Sequence, residues 1–358
     1  MRFKSQSSRH GVTWIELVVV ILVIIVLAAL LLPSIRTASE AARRMQCQNN
    51  LKQIGLAIRN YEDFHKHLPS AMAGTGIGPT DLGGNANRLS GLVALLPYLE
   101  QSRLWEQIST ATTIAGVDYP AMGPAPWVED YPPWQTQLPT LLCPSWPEPE
   151  TKLARTNYAF CIGDVSRAVH APQAQRGAFA CGMFTKLSSI TDGISNTIAL
   201  AEIGNRQDRL LSGQVAINQP AAMLDAPIDC LGLRNTRRPA QYAPNTPLST
   251  LGRGARWVDG AAPYGLFATI LPPNCPSCAA GGDEAVDGIY SSGSLHTGGA
   301  TCVFVDGSVH FISDNVDTGD STRVPPTSEQ FTPQLTPSPF GIWGALGTAD
   351  GGEVTNGY

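Results

Sequence analysis

The chain has 358 residues and 43% hydrophobic content, which allows one or two domains with a real core and excludes a disordered polypeptide. Its 35 Gly and 28 Pro exceed ordinary usage, so loops should take a large share of the fold. The net charge of −5 hides an asymmetry: residues 1–66 hold nine Lys or Arg against four Asp or Glu, and the remainder holds 15 against 25. The acidic bulk is a poor partner for phosphate backbones, so nucleic-acid binding is set aside.

Residues 17–32 read LVVVILVIIVLAALLL without a charge. Extended to 12–35, the run crosses a hydrocarbon core of roughly 30 Å at about 1.5 Å per residue, with Glu16 its one ionisable group. A transmembrane helix is expected. Arg2, Lys4 and Arg9 precede it with no acid among them, which places residues 1–11 in the cytoplasm and the chain after residue 35 outside. No A-x-A site ends the run, which passes through Pro33 into further helical sequence, so a cleaved secretory signal does not fit. Glu16 in hydrocarbon costs a few kcal/mol unless it is paired, and a simple anchor does not require it.

Gly11-Val12-Thr13-Trp14-Ile15-Glu16, after a short basic leader and before an apolar helix, resembles the prepilin cleavage motif of type IV pilins and type II secretion pseudopilins. The resemblance implies cleavage between Gly11 and Val12 by a prepilin peptidase and methylation of the Val12 amine. It also implies that Glu16 pairs with the terminal amine of a neighbouring subunit during filament assembly. That family usually carries Phe where Val12 stands.

Beyond the membrane run, Ile35, Ala38, Ala42, Met45, Leu51, Ile54, Ile58 and Tyr61 recur at gaps suited to one helical stripe. A helix over 12–64 would be about 80 Å long, its second half packing on a globular head. Residues 68–91 read as loop, and LSGLVALLPYLEQSRLWEQI as short helices broken at Pro97. Nine prolines between Pro120 and Pro149 exclude a central strand there. Strands are predicted over 157–162, 177–184, 197–202, 264–270, 300–305 and 308–313. The Pro-rich 321–358 reads as a loosely ordered tail.

The blocks CQNNLKQIGLAIRNYEDFHKHLP, LLPYLEQ, LLCPS, NYAF, ITDGISNTIALAE and SLHTGGATCVFVDGSVHFIS are similar to those of a large bacterial family of unknown function. That family joins a prepilin-type N-terminus to a C-terminal H-x9-D-G element, here His296 to Asp306-Gly307. Two readings of the element compete. His296 and Asp306, with His310, are candidate metal ligands or an acid/base pair. Alternatively TCVFV-DG-SVHFI is a hairpin with a two-residue type I′ turn, and His296 is a hydrogen-bonded structural residue. The hairpin register would pair Val303 with His310 and Cys302 with Phe311, so that Cys302, Phe304, Val309 and Phe311 share a buried face. The structural reading is preferred.

All eight cysteines follow the membrane run. An oxidising exterior favours pairing, and Cys275-Pro-Ser-Cys278 is read as a local disulfide, because no second C-x-x-C completes a four-cysteine zinc site. Asp192-Gly193 resembles a calcium-loop fragment but has too few carboxylates nearby. Trp105, Trp127, Trp134 and Trp146 are read as core or loop anchors before a binding surface. No catalytic motif appears, so neither enzymatic activity nor a cofactor or metal is expected.

The expectation is therefore an α+β, pilin-like protein of the bacterial inner membrane. It comprises a cytoplasmic leader (1–11), a transmembrane helix (12–35), an amphipathic continuation (36–66), a periplasmic head on an antiparallel sheet with long loops (67–320) and a tail (321–358). Its expected partners are prepilin peptidase, other pilin or pseudopilin subunits and the lipid bilayer. The alternative is a membrane-tethered binding module for glycan, metal or substrate that does not polymerise.

Overall fold

A computed structural model describes residues 13–147, 151–174, 176–327 and 336–353, without the side chains of 28–37 and 174. The fold is mixed α+β with a helix at the N-terminal end. It divides into two compact units between Met45 and Gln46.

Helix α1 (Trp14–His65) begins in the first unit at a capping box. The Glu16 carboxylate accepts from the Thr13 backbone N–H at 2.8 Å and from its hydroxyl at 2.9 Å, while the Glu16 N–H reaches Thr13 Oγ1 at 3.4 Å. The pattern T-x-x-E before an apolar run supplies the reason for a helix start there. From Trp14 to Leu27 every large apolar side chain is exposed, Trp14 by 80% and Ile25 by 61%. Among the described residues no helix is long and apolar enough to cross a membrane.

In the second unit, the α1 residues Cys47, Leu51, Ile54, Ile58 and Tyr61 are buried at alternating gaps of four and three, as an amphipathic helix requires. The predicted stripe is correct from Leu51 onward, but Ala38, Ala42 and Met45 are exposed, so the buried face begins at Cys47.

The main sheet has five strands: β1 (Tyr158–Cys161), β2 (Ile198–Glu202), β3 (Leu266–Phe267), β4 (Gly299–Phe304) and β5 (Val309–Ser313), ordered β5-β4-β2-β1-β3. Three of its pairings are antiparallel, but β1 and β3 run parallel, so the sheet is mixed and not purely antiparallel as expected. The period of two sorts its side chains. Phe160, Leu200 and Val303 join α1 in the larger core cluster, while Ala159, Ala201 and Cys302 join Trp343 and Leu346 in a second one. Strands β1 and β2 are apolar on both faces, hence their continuous apolar sequences.

Two predicted strands change. Residues 177–184 bend at 177–178 and turn at Gly182, and contribute only the single bridge Met72–Cys181. Residues 264–270 yield only β3, because Ala262–Gly265 form a helical turn started by Pro263. Residues 336–353 of the C-terminal segment also hold more structure than expected. Helix α2 (Gly341–Gly347) buries Trp343, whose indole N–H donates to the Leu271 carbonyl at 2.8 Å. The Asp192 carboxylate accepts from the N–H groups of Gly351 and Gly352 at 2.7 and 2.8 Å, a structural use of the residue that resembled a calcium ligand.

Candidate functional site at a buried cysteine, histidine and glutamate cluster

Four elements converge on His296. Cys47 comes from α1, Cys143 from the Pro-rich loop, Glu202 from the end of β2, and His296 from the loop before β4. Cys47 and Cys143 form a disulfide across 96 residues of sequence. His296 Nε2 lies 3.4 Å from Cys143 Sγ and 3.6 Å from Glu202 Oε1. All four residues are buried, and one S, N or O atom from each lies within 4.8 Å of every other. The His296 backbone N–H donates to Ser294 Oγ at 3.1 Å, which fixes the loop.

Glu202 is the unusual member. Its Oε2 accepts the Thr301 N–H from β4 at 2.8 Å, but its buried Oε1 has no hydrogen-bond partner. Burial raises the Glu202 pKa, against the opposing pull of the Thr301 amide and His296. A carboxylate oxygen held dry and unbonded beside an imidazole and two sulfurs is costly for a purely structural site.

The helix is held at several further points. The Tyr158 hydroxyl donates to the Cys47 carbonyl at 3.3 Å, and Asn50 Nδ2 donates to the Leu142 carbonyl at 2.7 Å. Five residues after Cys47, Lys52 Nζ donates to the Gly307 carbonyl at 2.7 Å. The H-x9-D-G element thus grips α1 twice, through His296 near Cys47 and through Gly307 near Lys52 and Gly55.

His296 and Asp306 serve different places. Asp306 Oδ1 accepts from the Ser308 N–H at 2.8 Å and its hydroxyl at 2.6 Å, and the Asp306 N–H donates to the Ile194 carbonyl at 3.0 Å. The preferred structural reading of Asp306 agrees with these bonds, but the predicted register is wrong by one residue. Cys302 pairs with His310 and Val303 with Val309. The Gly307 N–H donates to the Phe304 carbonyl and the Phe304 N–H to the Ser308 carbonyl. Of Asp306 and Gly307, only Gly307 has positive φ, at 83°. This is a type I turn with a bulge at glycine, not the type I′ turn, which needs positive φ at both residues. Cys302, Phe304 and Ile312 consequently share one core while Val303 and Val309 pack on the other. His310 is exposed, its ring edge-on to Phe304 and its Nε2 3.2 Å from Ser308 Oγ, outside the buried cluster.

The local Cys275–Cys278 disulfide is not formed. Cys278 pairs with Cys230 across 48 residues, and Cys275 is a free thiol whose sulfur accepts from Arg234 Nη2 at 2.7 Å. Burial pushes the Cys275 pKa up to about 11 despite Arg234. Cys275, Arg234, Asn274, Asp314, Ser294 and His296 contribute to the lining of a cleft of about 540 Å³. Trp134 and Trp146 are buried, in keeping with core anchors, and Trp127 lies beneath Arg88 at 4.9 Å.

Gly11 and Val12 lie outside the described residues. No local sequence pattern marks Cys47, Cys143 and Glu202 as partners of His296. The usable signals were an acid closing the apolar run IALAE and a cysteine in each of the blocks CQNNLKQ and LLCPS. Residues 36–319 match the family described as a protein of unknown function, DUF1559. The chain belongs to this family. All four cluster residues and the Asp306-Gly307 turn fall inside the DUF1559 match, whereas Gly11, Val12 and Glu16 precede it. No curated protein and no solved structure matches the chain.

Proposed function

We propose that this DUF1559 protein is a pseudopilin-like structural subunit of a type II secretion or type IV pilus-like filament. In this reading a prepilin peptidase cuts it after Gly11, and residues 12–35 anchor it in the bacterial inner membrane with the head in the periplasm. The observation that carries the reading is α1 itself. Its first turns expose an uninterrupted set of apolar side chains, Trp14 to Leu27, around one carboxylate, while its second half is built into a sheet-based head. Such a surface requires lipid or neighbouring helices. The two disulfides suit a domain that matures in an oxidising compartment.

A second reading, a membrane-tethered binding module, draws on the 540 Å³ cleft beside His296. Glu16 separates the two. Glu16→Gln keeps a side chain able to close the capping box with Thr13 but removes the charge that would pair with a neighbouring amine. In-cell crosslinking should show that Glu16→Gln and Glu16→Ala both insert in the membrane and both lose incorporation into oligomers. Unchanged assembly of Glu16→Gln would restrict Glu16 to helix capping and favour the tethered module.

A further inference from the structure

The geometry points to a second state of the buried cluster: with Cys47 and Cys143 reduced, their sulfurs, His296 Nε2 and Glu202 Oε1 form a closed four-donor site for Zn²⁺. Tetrahedral zinc with bonds of about 2.0 Å to N or O and about 2.3 Å to S sets its donors about 3.3–3.8 Å apart. The two separations at His296 Nε2, 3.4 Å to Cys143 Sγ and 3.6 Å to Glu202 Oε1, already have that spacing. The remaining separations lie within 4.8 Å, and the bonded sulfurs, which sit on different elements, have to part.

A second observation points the same way. Glu202 is 1% exposed, and its Oε1 faces the cluster without a hydrogen-bond partner. The disulfide sulfurs donate nothing to that oxygen, which lies 3.6 Å from His296 Nε2, beyond hydrogen-bond length, whereas a metal ion between the four donors would bind it. Two thiolates, an imidazole and a carboxylate form a donor set suited to zinc over calcium or magnesium, which take oxygen ligands. Exposures of 0% for Cys47, 2% for Cys143 and 3% for His296 leave no open coordination position, so the site is structural and not hydrolytic. Either state fastens α1 to the head at the same point. The disulfide does so in an oxidising compartment and the metal does so in a reduced chain.

A phosphine reductant cleaves the Cys47–Cys143 bond and takes up an oxygen atom from water to become the phosphine oxide, leaving two thiols. The metal then displaces the two thiol protons, which pass to buffer. Co²⁺ serves as the probe because tetrahedral sulfur ligation gives it visible ligand-field and sulfur-to-metal charge-transfer bands.

The full chain in detergent, reduced anaerobically with phosphine, should bind one equivalent of Co²⁺ with these bands and lose them to Zn²⁺. Alkylation mapped by mass spectrometry under partly denaturing conditions should then find Cys47 and Cys143 protected by the metal, and Cys230 and Cys278 unprotected. His296→Ala and Cys47→Ser should lose the bands. The wild-type protection pattern decides the matter even where a variant fails to fold. Absence of one-equivalent binding, or protection of Cys230, Cys275 and Cys278 in place of Cys47 and Cys143, would overturn the assignment.

Discussion

Gly55 allows α1 to approach the hairpin of the H-x9-D-G element, and Gly55→Ala tests that contact through the sign of its effect. In a helix interior the substitution should stabilise by about 0.8–1.0 kcal/mol from propensity alone. Here, however, an added Cβ would lie 2.6 Å from Val303 Cγ2 and 3.2 Å from the Gly307 backbone, so the helix or the hairpin has to move. Overpacking of this kind costs about 1–3 kcal/mol, which leaves the variant between neutral and about 2 kcal/mol less stable. Val303→Ala alone should destabilise by about 2 kcal/mol through its lost burial, but in that background Gly55→Ala should be close to neutral or stabilising. The measurement is urea unfolding of the full chain in detergent, followed by fluorescence of the buried Trp134, Trp257 and Trp343. A full propensity gain for Gly55→Ala in wild type, or a cost unchanged by Val303→Ala, would refute the close packing of helix on hairpin.

Three further outcomes follow from the same physics. Asp306→Asn keeps the Oδ1 acceptor for Ser308 and should shift the unfolding midpoint little, whereas Gly307→Val forces a β-branched residue to positive φ and should cost about 1–3 kcal/mol; equal effects would contradict the turn assignment. Burial, and then Arg88, push the His170 pKa down to about 4 while its Nε2 accepts the Ala262 N–H. The unfolded chain, with a histidine pKa of about 6.5, takes up that proton first, so stability present above about pH 6.5 should fall by about 1–3 kcal/mol as the pH drops toward 4. His170→Gln should flatten that slope in pH-dependent urea titrations, and an unchanged slope would assign the acid sensitivity to other groups.

The parts of the fold legible in the sequence were those where one local pattern suffices. The spacing of Leu51, Ile54, Ile58 and Tyr61 located the buried helix face, and YAFC and IALAE marked strands apolar on both sides. The hairpin was recognisable because Asp-Gly suits a turn, but its register depended on the φ of Asp306, and the same dipeptide serves both turn types. The tail looked loose because its prolines outweighed the short FGIW segment, whose Trp343 gains its burial from residues far back in the chain. The site was harder for the same reason. His296 was visible as part of a motif, but its neighbours lie 249 residues back at Cys47, 153 at Cys143 and 94 at Glu202, separations that no local spacing encodes. The Cys275–Cys278 pairing failed likewise: proximity in sequence suggested a bond, and the fold brought Cys230 to Cys278 instead.

The central claim, that the chain is a processed filament subunit, is tested most directly by the intact mass and N-terminal sequence of the protein extracted from membranes of cells with active prepilin peptidase. The predicted result is a chain that begins at Val12 and carries one added methyl group on its amine. A mature chain that still begins at Met1, or one that begins near Thr37 after the apolar run, would contradict it.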